Sequence, residues 1–371
     1  MSEFSESQHD FEKPIDGTLF EPTLLALPTQ RVGYSDRTSW LMSVMSQLAY
    51  FQFENSGNLS SIIDDLAKLS GREKQVEFLR SIIGGLDKGS SDDRKEALRK
   101  ILSIGGFELV RVFNTGETQA FLARRDTEKA EGKMLVLAFR GTEKKLSDWN
   151  TDMKARLVAA KDENKSGRIH EGFQEAYYLV EDEIEKTLEE TLKEHPGEPL
   201  YITGHSLGGA LAVVATRFID AGNLAACYTF GGPRVGDLEL AKVFKTPIYR
   251  VVNASDAVPR VPFGYGWYIV QWLTDRALYF FPRFKFLDEL SERMEWISGY
   301  THYGDQRYLS AVEPGAGDTY PNLELISNPG FFLALFRFFK RTRATKGKGL
   351  INDHSIGIYR SKLRARALDR N

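Results

Sequence analysis

The chain has 371 residues, which is enough for one large domain or two ordinary ones. Its composition, 42% hydrophobic and 27% charged, is ordinary for a globular protein, and a net charge of −2 gives no overall attraction to nucleic acid or membranes. The single cysteine, Cys227, excludes an intramolecular disulfide and a cysteine-rich metal site. We expect it to be buried and unreactive in an apolar strand.

Residues 1–36 are polar and contain three prolines, which predicts a loosely ordered arm before a single domain over residues 37–371. The first residues have neither a basic nor an apolar segment, which argues against a secretory signal. The chain contains no run of about 18 or more uncharged apolar residues, so we expect no transmembrane helix. We therefore expect a cytoplasmic protein, with export by a route that needs no signal peptide left open.

The first part of the domain, residues 37–126, is predicted to be helical and then to form a hairpin. Apolar residues recur at helical spacing over 38–53, and the helical pattern continues over 58–104 with a break at Gly84-Gly85. Residues 107–113 and 118–123 then alternate in hydrophobicity across a short polar turn. The change of period marks the start of a sheet.

The central part, residues 130–262, alternates strands with helices. An apolar run at 134–139 is typical of a strand buried on both faces, and a long charged helix over 171–194 ends at Pro196-Gly197. The remaining predictions are strands at 199–203, 225–230 and 247–252 and an alanine-rich helix at 207–221. This order indicates an α/β fold, a mostly parallel sheet with helices on both faces.

Gly204-His205-Ser206-Leu207-Gly208 matches the pattern G-x-S-x-G between an apolar strand and a helix-forming run. Such a turn strains the serine backbone and exposes its hydroxyl above the sheet. It also directs the amide of Leu207 toward the place where an oxyanion would form. The context favours a nucleophilic serine over an ordinary glycine-rich turn.

The segment from Gly204 to Ala212 resembles the corresponding turn of the class 3 lipases, the family of the fungal triacylglycerol lipases. Four further segments match that family in the same order: 139–142 with Asp148-Trp149, 170–173, 230–236, and 253–259. The resemblance is good over about residues 130–262 and weaker elsewhere. It implies an α/β-hydrolase fold. Around that core we expect an N-terminal helical segment, an aromatic-rich insertion at 263–350 that is longer than in the compact fungal members, and a C-terminal segment at 351–371.

A serine hydroxyl needs a base, and in this fold the order along the chain is serine, acid, histidine. Asp256 follows a strand end and matches the acid of the family, whereas the rival Asp237 is better explained as a helix N-cap. Only His302 and His354 follow Asp256. His354 lies in a C-terminal segment that resembles the one carrying the family's histidine, so we favour it and keep His302 as the alternative.

The resemblance also implies a second oxyanion donor, Thr142, to accompany the amide of Leu207. It further implies a lid over residues 143–161, whose scattered apolar residues allow an amphipathic helix, although a plain surface helix fits the pattern too.

The run at 331–339 is rich in phenylalanine and leads into a basic tail. From residue 337 to the end there are 11 Lys and Arg against 2 acidic residues. This pattern fits peripheral attachment to anionic lipid, with a core helix and a solvated tail as the alternatives. We do not expect nucleic-acid binding, because the rest of the chain is acidic.

Together these observations predict a lipase or esterase that cleaves carboxylic esters of glycerides with Ser206, His354 and Asp256 through an acyl-enzyme. Neither a metal nor an organic cofactor is implied, and the expected partner is a lipid or a small ester. Alternatives are a phospholipase or an acyltransferase on the same residues. A further alternative is a membrane-associated scaffold without catalysis.

Overall fold

In a computed structural model of the protein, the structure describes residues 20–21, 24–25, 33–51, 91–115, 118–127, 132–141, 156–160, 167–261, 299–315 and 319–369. Its helices are α1 (Asp36–Phe51), α2 (Ser91–Ile104), α3 (Glu171–Tyr178), α4 (Glu181–Glu194), α5 (Leu207–Phe218), α6 (Leu238–Val243), α7 (Phe331–Ala344), α8 (Gly349–Asn352) and α9 (Ile356–Leu368). Its strands are β1 (Phe107–Thr115), β2 (Thr118–Arg125), β3 (Met134–Phe139), β4 (Leu157–Ala159), β5 (Arg168–His170), β6 (Leu200–His205), β7 (Leu224–Phe230), β8 (Ile248–Asn253), β9 (Asp305–Leu309) and β10 (Leu325–Ser327).

Eight strands form one sheet in the order β1-β2-β3-β6-β7-β8-β9-β10, and β4 pairs with β5 apart from it. Strands β3, β6, β7, β8 and β9 run parallel, while β1, β2 and β3 are antiparallel to one another in turn. Parallel strands end at the same edge, so the segments that follow β6, β7 and β8 converge there. The expected α/β-hydrolase architecture is confirmed.

The sheet has a separate apolar core on each face. Successive residues of β3 point to opposite sides: Val136 joins the core beneath α1, α2 and α9, and Leu137 joins the core beneath α3, α4 and α5. Every residue of β3 is buried, as a continuous apolar run predicts for a strand covered on both faces. Cys227 of β7 is also buried, and burial raises the pKa of its thiol to about 12, so it stays protonated and unreactive.

Two differences from the predicted elements have clear causes. The predicted helix over 171–194 is two helices that break at residues 179–180, where Val180 N–H donates to the carbonyl of Tyr177 at 3.0 Å. Three acidic residues, 181–183, then occupy the first turn of α4, where the positive end of a helix dipole favours them. Strand β6 continues beyond the predicted 203 through Gly204 and His205, because both pair with the neighbouring strand β7.

The predicted arm is not loose throughout: Phe20 and Leu24 are buried in the core beneath α1. Within the predicted lid, residues 157–159 form a strand rather than a helix, because they pair with β5. The rest of the lid at 143–155, the helical pattern at 58–90 and the aromatic stretch at 263–286 lie outside the described residues. Across the described ranges, none of the helices combines the length and apolarity needed to cross a bilayer.

Candidate active site

Ser206 occupies a strained turn between β6 and α5. Its backbone has φ 57° and ψ −128°, a conformation that residues with a side chain rarely adopt. Its N–H donates to the carbonyl of Phe230 on β7 at 3.0 Å, which ties the turn to the neighbouring strand. The strain is therefore held in place by the sheet, and the side chain is fixed at the carboxyl edge.

The glycines on either side of the serine permit this turn. A Cβ atom at Gly204 would collide with the carbonyl of Gly208, and one at Gly208 would collide with the carbonyl of Phe139 on β3. Larger residues at either position would force the helix away from the sheet. The pattern G-x-S-x-G is thus a packing requirement of the turn itself.

His354 joins Ser206 to Asp256 through hydrogen bonds. Its Nε2 lies 2.9 Å from Ser206 Oγ, and its Nδ1 lies 2.9 Å and 3.0 Å from the two oxygens of Asp256. An ionised carboxylate only accepts hydrogen bonds, so Nδ1–H donates to Asp256 and Nε2 accepts from the serine hydroxyl. The hydroxyl therefore faces a lone pair that can take its proton.

The carboxylate of Asp256 is fully buried and has two further donors. The hydroxyl of Tyr359 on α9 donates to Oδ2 at 2.6 Å, and the N–H of Val258 donates to Oδ1 at 2.9 Å. Burial, reinforced by the charge of Asp256, raises the pKa of Tyr359, so its hydroxyl remains a donor. In turn it accepts the N–H of Asn253 at 2.9 Å. These bonds fix the carboxylate in the orientation that faces His354.

A second set of bonds ties the loop of the acid to the loop of the histidine. Asp353 accepts from the N–H of Ser255 at 3.0 Å and from its hydroxyl at 2.7 Å. The side-chain amide of Asn253 donates to the carbonyl of Asp353 at 2.8 Å, and the ammonium of Lys362 donates to Asn253 Oδ1 at 2.8 Å. Burial lowers the pKa of Lys362 to about 8. The residues that precede Asp256 and His354 are thus bonded to each other.

His205, although adjacent to the serine, supports the site from behind. Its Nε2–H donates to the carbonyl of His354 at 2.7 Å, so its Nδ1 is left to accept from the hydroxyl of Tyr50 at 2.9 Å. Burial is the larger cause, and the electrostatic effect of His354 the smaller one, that lowers the pKa of His205 well below its usual value. A neutral His205 holds the backbone of His354 without competing for the proton of Ser206.

The rival residues are held elsewhere. His302 Nε2–H donates to the carbonyl of Pro259 at 2.6 Å. Asp237 caps α6 by accepting the N–H of Leu240 at 2.9 Å, as the sequence suggested, and it also pairs with Arg168. The structure therefore brings together Ser206, Asp256 and His354, and it leaves His302 and Asp237 outside this hydrogen-bonded set.

One predicted oxyanion donor can be located. Leu207 is the first residue of α5, where backbone N–H groups have no acceptor within the helix. Thr142 lies outside the described residues, but Phe139 of β3 pairs with Gly204, so the strand that leads toward residue 142 ends beside the turn. No group of three or more metal-ligating side chains occurs among the residues described here.

Sequence reasoning missed Tyr359, Asp353, Lys362 and the supporting role of His205. Of these, only Tyr359 could have been suspected from the sequence, because it lies five residues after His354 and so places a hydroxyl near the histidine. The others are recognisable only after the loops have been brought together, because their partners are about 50 to 150 residues away in the chain.

Comparison with known proteins places these residues in a wider context. Residues 136–266 match the family described as Lipase (class 3). A lipase from Rhizomucor miehei is 34% identical over 176 residues, covering 43% of this chain and 46% of that protein. Phospholipase A1-II 1 of Oryza sativa subsp. indica is 32% identical over 182 residues, covering 41% and 44%. The chain thus spans less than half the length of either relative.

Among solved structures, MDLA from Penicillium cyclopium aligns with 80% of this chain and 87% of its own. Its sequence identity is 20% and its TM-score is 0.47.

Proposed function

Because the chain belongs to the class 3 lipase family, we propose that it hydrolyses carboxylic esters of lipids through an acyl-enzyme on Ser206. The observation that carries the proposal is the unbroken hydrogen-bond chain from Ser206 through His354 to the buried carboxylate of Asp256. A strained serine at the carboxyl edge of a parallel sheet is the setting in which α/β-hydrolases hold their nucleophile.

In the first half of the reaction, Ser206 Oγ attacks the ester carbonyl while His354 Nε2 takes its proton. The imidazolium that forms is stabilised by Asp256, whose oxygens already lie 2.9 Å and 3.0 Å from Nδ1. His354 then returns the proton to the leaving alcohol, and the acyl group remains on the serine.

Water completes the cycle. His354 removes a proton from the water as it attacks the acyl-enzyme, and it returns the proton to Ser206 as the fatty acid leaves. The oxyanion of each tetrahedral intermediate binds to the N–H of Leu207 and to Thr142. Losing one such donor costs about 2.7–4 kcal/mol of transition-state stabilisation.

The proposed substrates are glycerides, in keeping with relatives that are named triacylglycerol lipase and mono- and diacylglycerol lipase. The similarity to a phospholipase A1 favours phospholipid as a second candidate substrate. Both substrate classes form aggregates in water, so the protein has to contact a lipid surface peripherally in order to reach them. Product analysis on a panel of triacylglycerol, monoacylglycerol and phospholipid would separate these possibilities, and it would reveal acyl transfer as a new ester product.

Replacement of the proposed nucleophile tests the mechanism. Ser206→Ala should abolish hydrolysis of nitrophenyl esters and labelling by a fluorophosphonate probe while the protein remains folded. Retained hydrolysis by this variant would refute the assignment. Failure of the probe to label the wild-type protein would instead favour a scaffold without catalysis.

The base is tested by a matched pair of histidine variants. His354→Ala should lose about 10⁴-fold or more in kcat, because no other imidazole contacts the serine hydroxyl among the described residues. His302→Ala should keep the chemistry and lose only stability, since its ring bonds to a backbone carbonyl. The reverse pattern would show that the base has been misassigned.

A further inference from the structure

Helix α7 exposes a stripe of aromatic side chains to solvent. Phe331, Phe332, Phe336 and Phe339 are 66%, 83%, 64% and 59% exposed, and none of the helix is buried. Three of them, Phe332, Phe336 and Phe339, follow the spacing i, i+4, i+7, so they lie on one face of the helix. Exposure of several neighbouring large apolar side chains marks an interaction surface. The alternative of a core helix at 331–339 is therefore wrong.

Basic residues accompany the aromatic stripe. Between residues 331 and 352 the chain has six Lys and Arg and no acidic residue. Four of these side chains are exposed: Lys340, Arg343, Lys346 and Lys348. Arg343 continues the spacing of the stripe at i+11 from Phe332, and Lys340 adjoins it. Aromatic side chains beside exposed cations are the composition of a helix that lies in the interface of an anionic bilayer.

The opposite face of α7 attaches the helix to the loops of the proposed active site. Arg341 pairs with Asp353, the neighbour of His354, at 3.2 Å. The guanidinium of Arg260, four residues after Asp256, lies 3.9 Å from the ring centroid of Phe338. The C-terminal half of the helix thus lies at the carboxyl edge of the sheet, beside these loops, with its aromatic stripe directed outward. Its first turn follows Asn328, which bonds to Gln306 near the amino-terminal end of β9, so the helix runs from there toward the proposed active site.

We infer that α7 is an interfacial anchor that docks on the surface of an anionic lipid bilayer beside the active site. The inference rests on the proposed function, because a lipid hydrolase has to reach a lipid surface. It adds which surface of the protein binds the bilayer and which lipids that surface prefers. Phe332, Phe336 and Phe339 enter the headgroup region, and Lys340 and Arg343 pair with lipid phosphates. A second copy of the chain fits less well, because a symmetric contact would bring these cations against each other.

Sedimentation with vesicles tests the inference on the full-length protein. Wild type should bind vesicles of phosphatidylcholine with about 30% phosphatidylserine more tightly than pure phosphatidylcholine, by about fivefold for each basic residue at the surface. The double variant Phe332→Asp/Phe336→Asp should lose at least about tenfold in binding to the anionic vesicles. Lys340→Glu/Arg343→Glu should remove most of the preference for phosphatidylserine.

Matched controls come from exposed residues outside α7. Ile104 is 51% exposed and precedes β1, and Lys245 is exposed and precedes β8, so both lie at the amino-terminal edge of the parallel strands. Ile104→Asp and Lys245→Glu should leave binding unchanged. Thermal unfolding of each variant verifies that it is folded.

The inference would be overturned by equal binding to both kinds of vesicle, by equal loss in the controls, or by a wild-type dimer that the phenylalanine variant dissociates. Preferential capture of RNA by the cationic residues, with no vesicle binding, would overturn it as well. Ser206→Ala should bind vesicles like wild type. If the wild type binds vesicles but cleaves no ester, the proposed function fails and the anchor stands.

Discussion

Gly231 allows a sharp prediction, because its missing side chain leaves room for the hydrogen bond between Asp256 and His354. It has φ +59°, and a Cβ atom there would lie 2.6 Å from Asp256 Oδ2 and 2.9 Å from His354 Nδ1. Ordinary van der Waals contact begins at 3.4 Å, so the carboxylate or the imidazole would have to move by about 0.8 Å. Either movement breaks the bond that orients the base.

The expected loss from Gly231→Ala follows from that displacement. A misplacement of about 1 Å costs on the order of 100-fold in rate, and loss of the orienting carboxylate costs about 10⁴-fold. We therefore expect kcat/KM to fall by between about 100-fold and 10⁴-fold. Stability should fall by only about 1–3 kcal/mol, the cost of a strained backbone at a residue other than glycine.

Gly232→Ala is the matched control. Its Cβ atom would meet its nearest neighbours in Gly209 at 3.5 Å, and no positive φ is required. The assay is hydrolysis of nitrophenyl butyrate, with urea unfolding for stability. Our reasoning is refuted if Gly231→Ala keeps kcat/KM within about threefold of wild type, or if Gly232→Ala loses as much activity.

Three further predictions concern buried polar groups. Tyr359→Phe removes a 2.6 Å bond to the carboxylate of Asp256 and should lower kcat/KM about tenfold and stability by about 1.5–3 kcal/mol; unchanged kinetics would contradict a positioning role. Burial lowers the pKa of His170 to about 4, so wild type should lose up to about 3 kcal/mol as pH falls from 6.5 to 4, because the unfolded chain binds that proton first. His170→Asn keeps an N-cap and should flatten this dependence in urea unfolding, and an equal slope in both proteins would count against it. Burial lowers the pKa of Lys362 to about 8, so the folded chain releases this proton at lower pH than the unfolded chain does. The stability of wild type relative to Lys362→Met should therefore rise by about 1.4 kcal/mol per pH unit between pH 8 and pH 10.5. A constant difference would show that Lys362 is not desolvated.

Some sequence-based expectations stay predictions: the cytoplasmic location, the division into subregions, the role of residues 143–161 as a lid and the oxyanion role of Thr142. Each depends on residues outside the described part of the chain or on a property, such as location in the cell, that the geometry of the fold does not determine.

The sequence by itself determined six of the eight strands of the main sheet, β1–β3 and β6–β8, and the serine turn, whereas β9 and β10 were not predicted. Strand β3 was predictable to the residue because a six-residue apolar run, too short for a typical buried helix, is typical of a strand buried on both faces. The strand, the two glycines and the helix around Ser206 are neighbours in the chain, so the local sequence was enough to predict that turn. The order of serine, acid and histidine also left only two candidates for the base.

The tertiary structure decided which histidine meets the serine. His302 and His354 are equally admissible by order. The bonds of Asp353 to Ser255 and Asn253, and the bond of His205 to the carbonyl of His354, bring the later histidine to the acid. The exposure of α7 was likewise undecidable, because an apolar run reads the same whether it packs in a core or faces solvent. The hydrophobic pattern records which side chains are apolar, whereas their burial and the contacts between distant segments depend on how the loops at the sheet edge come together.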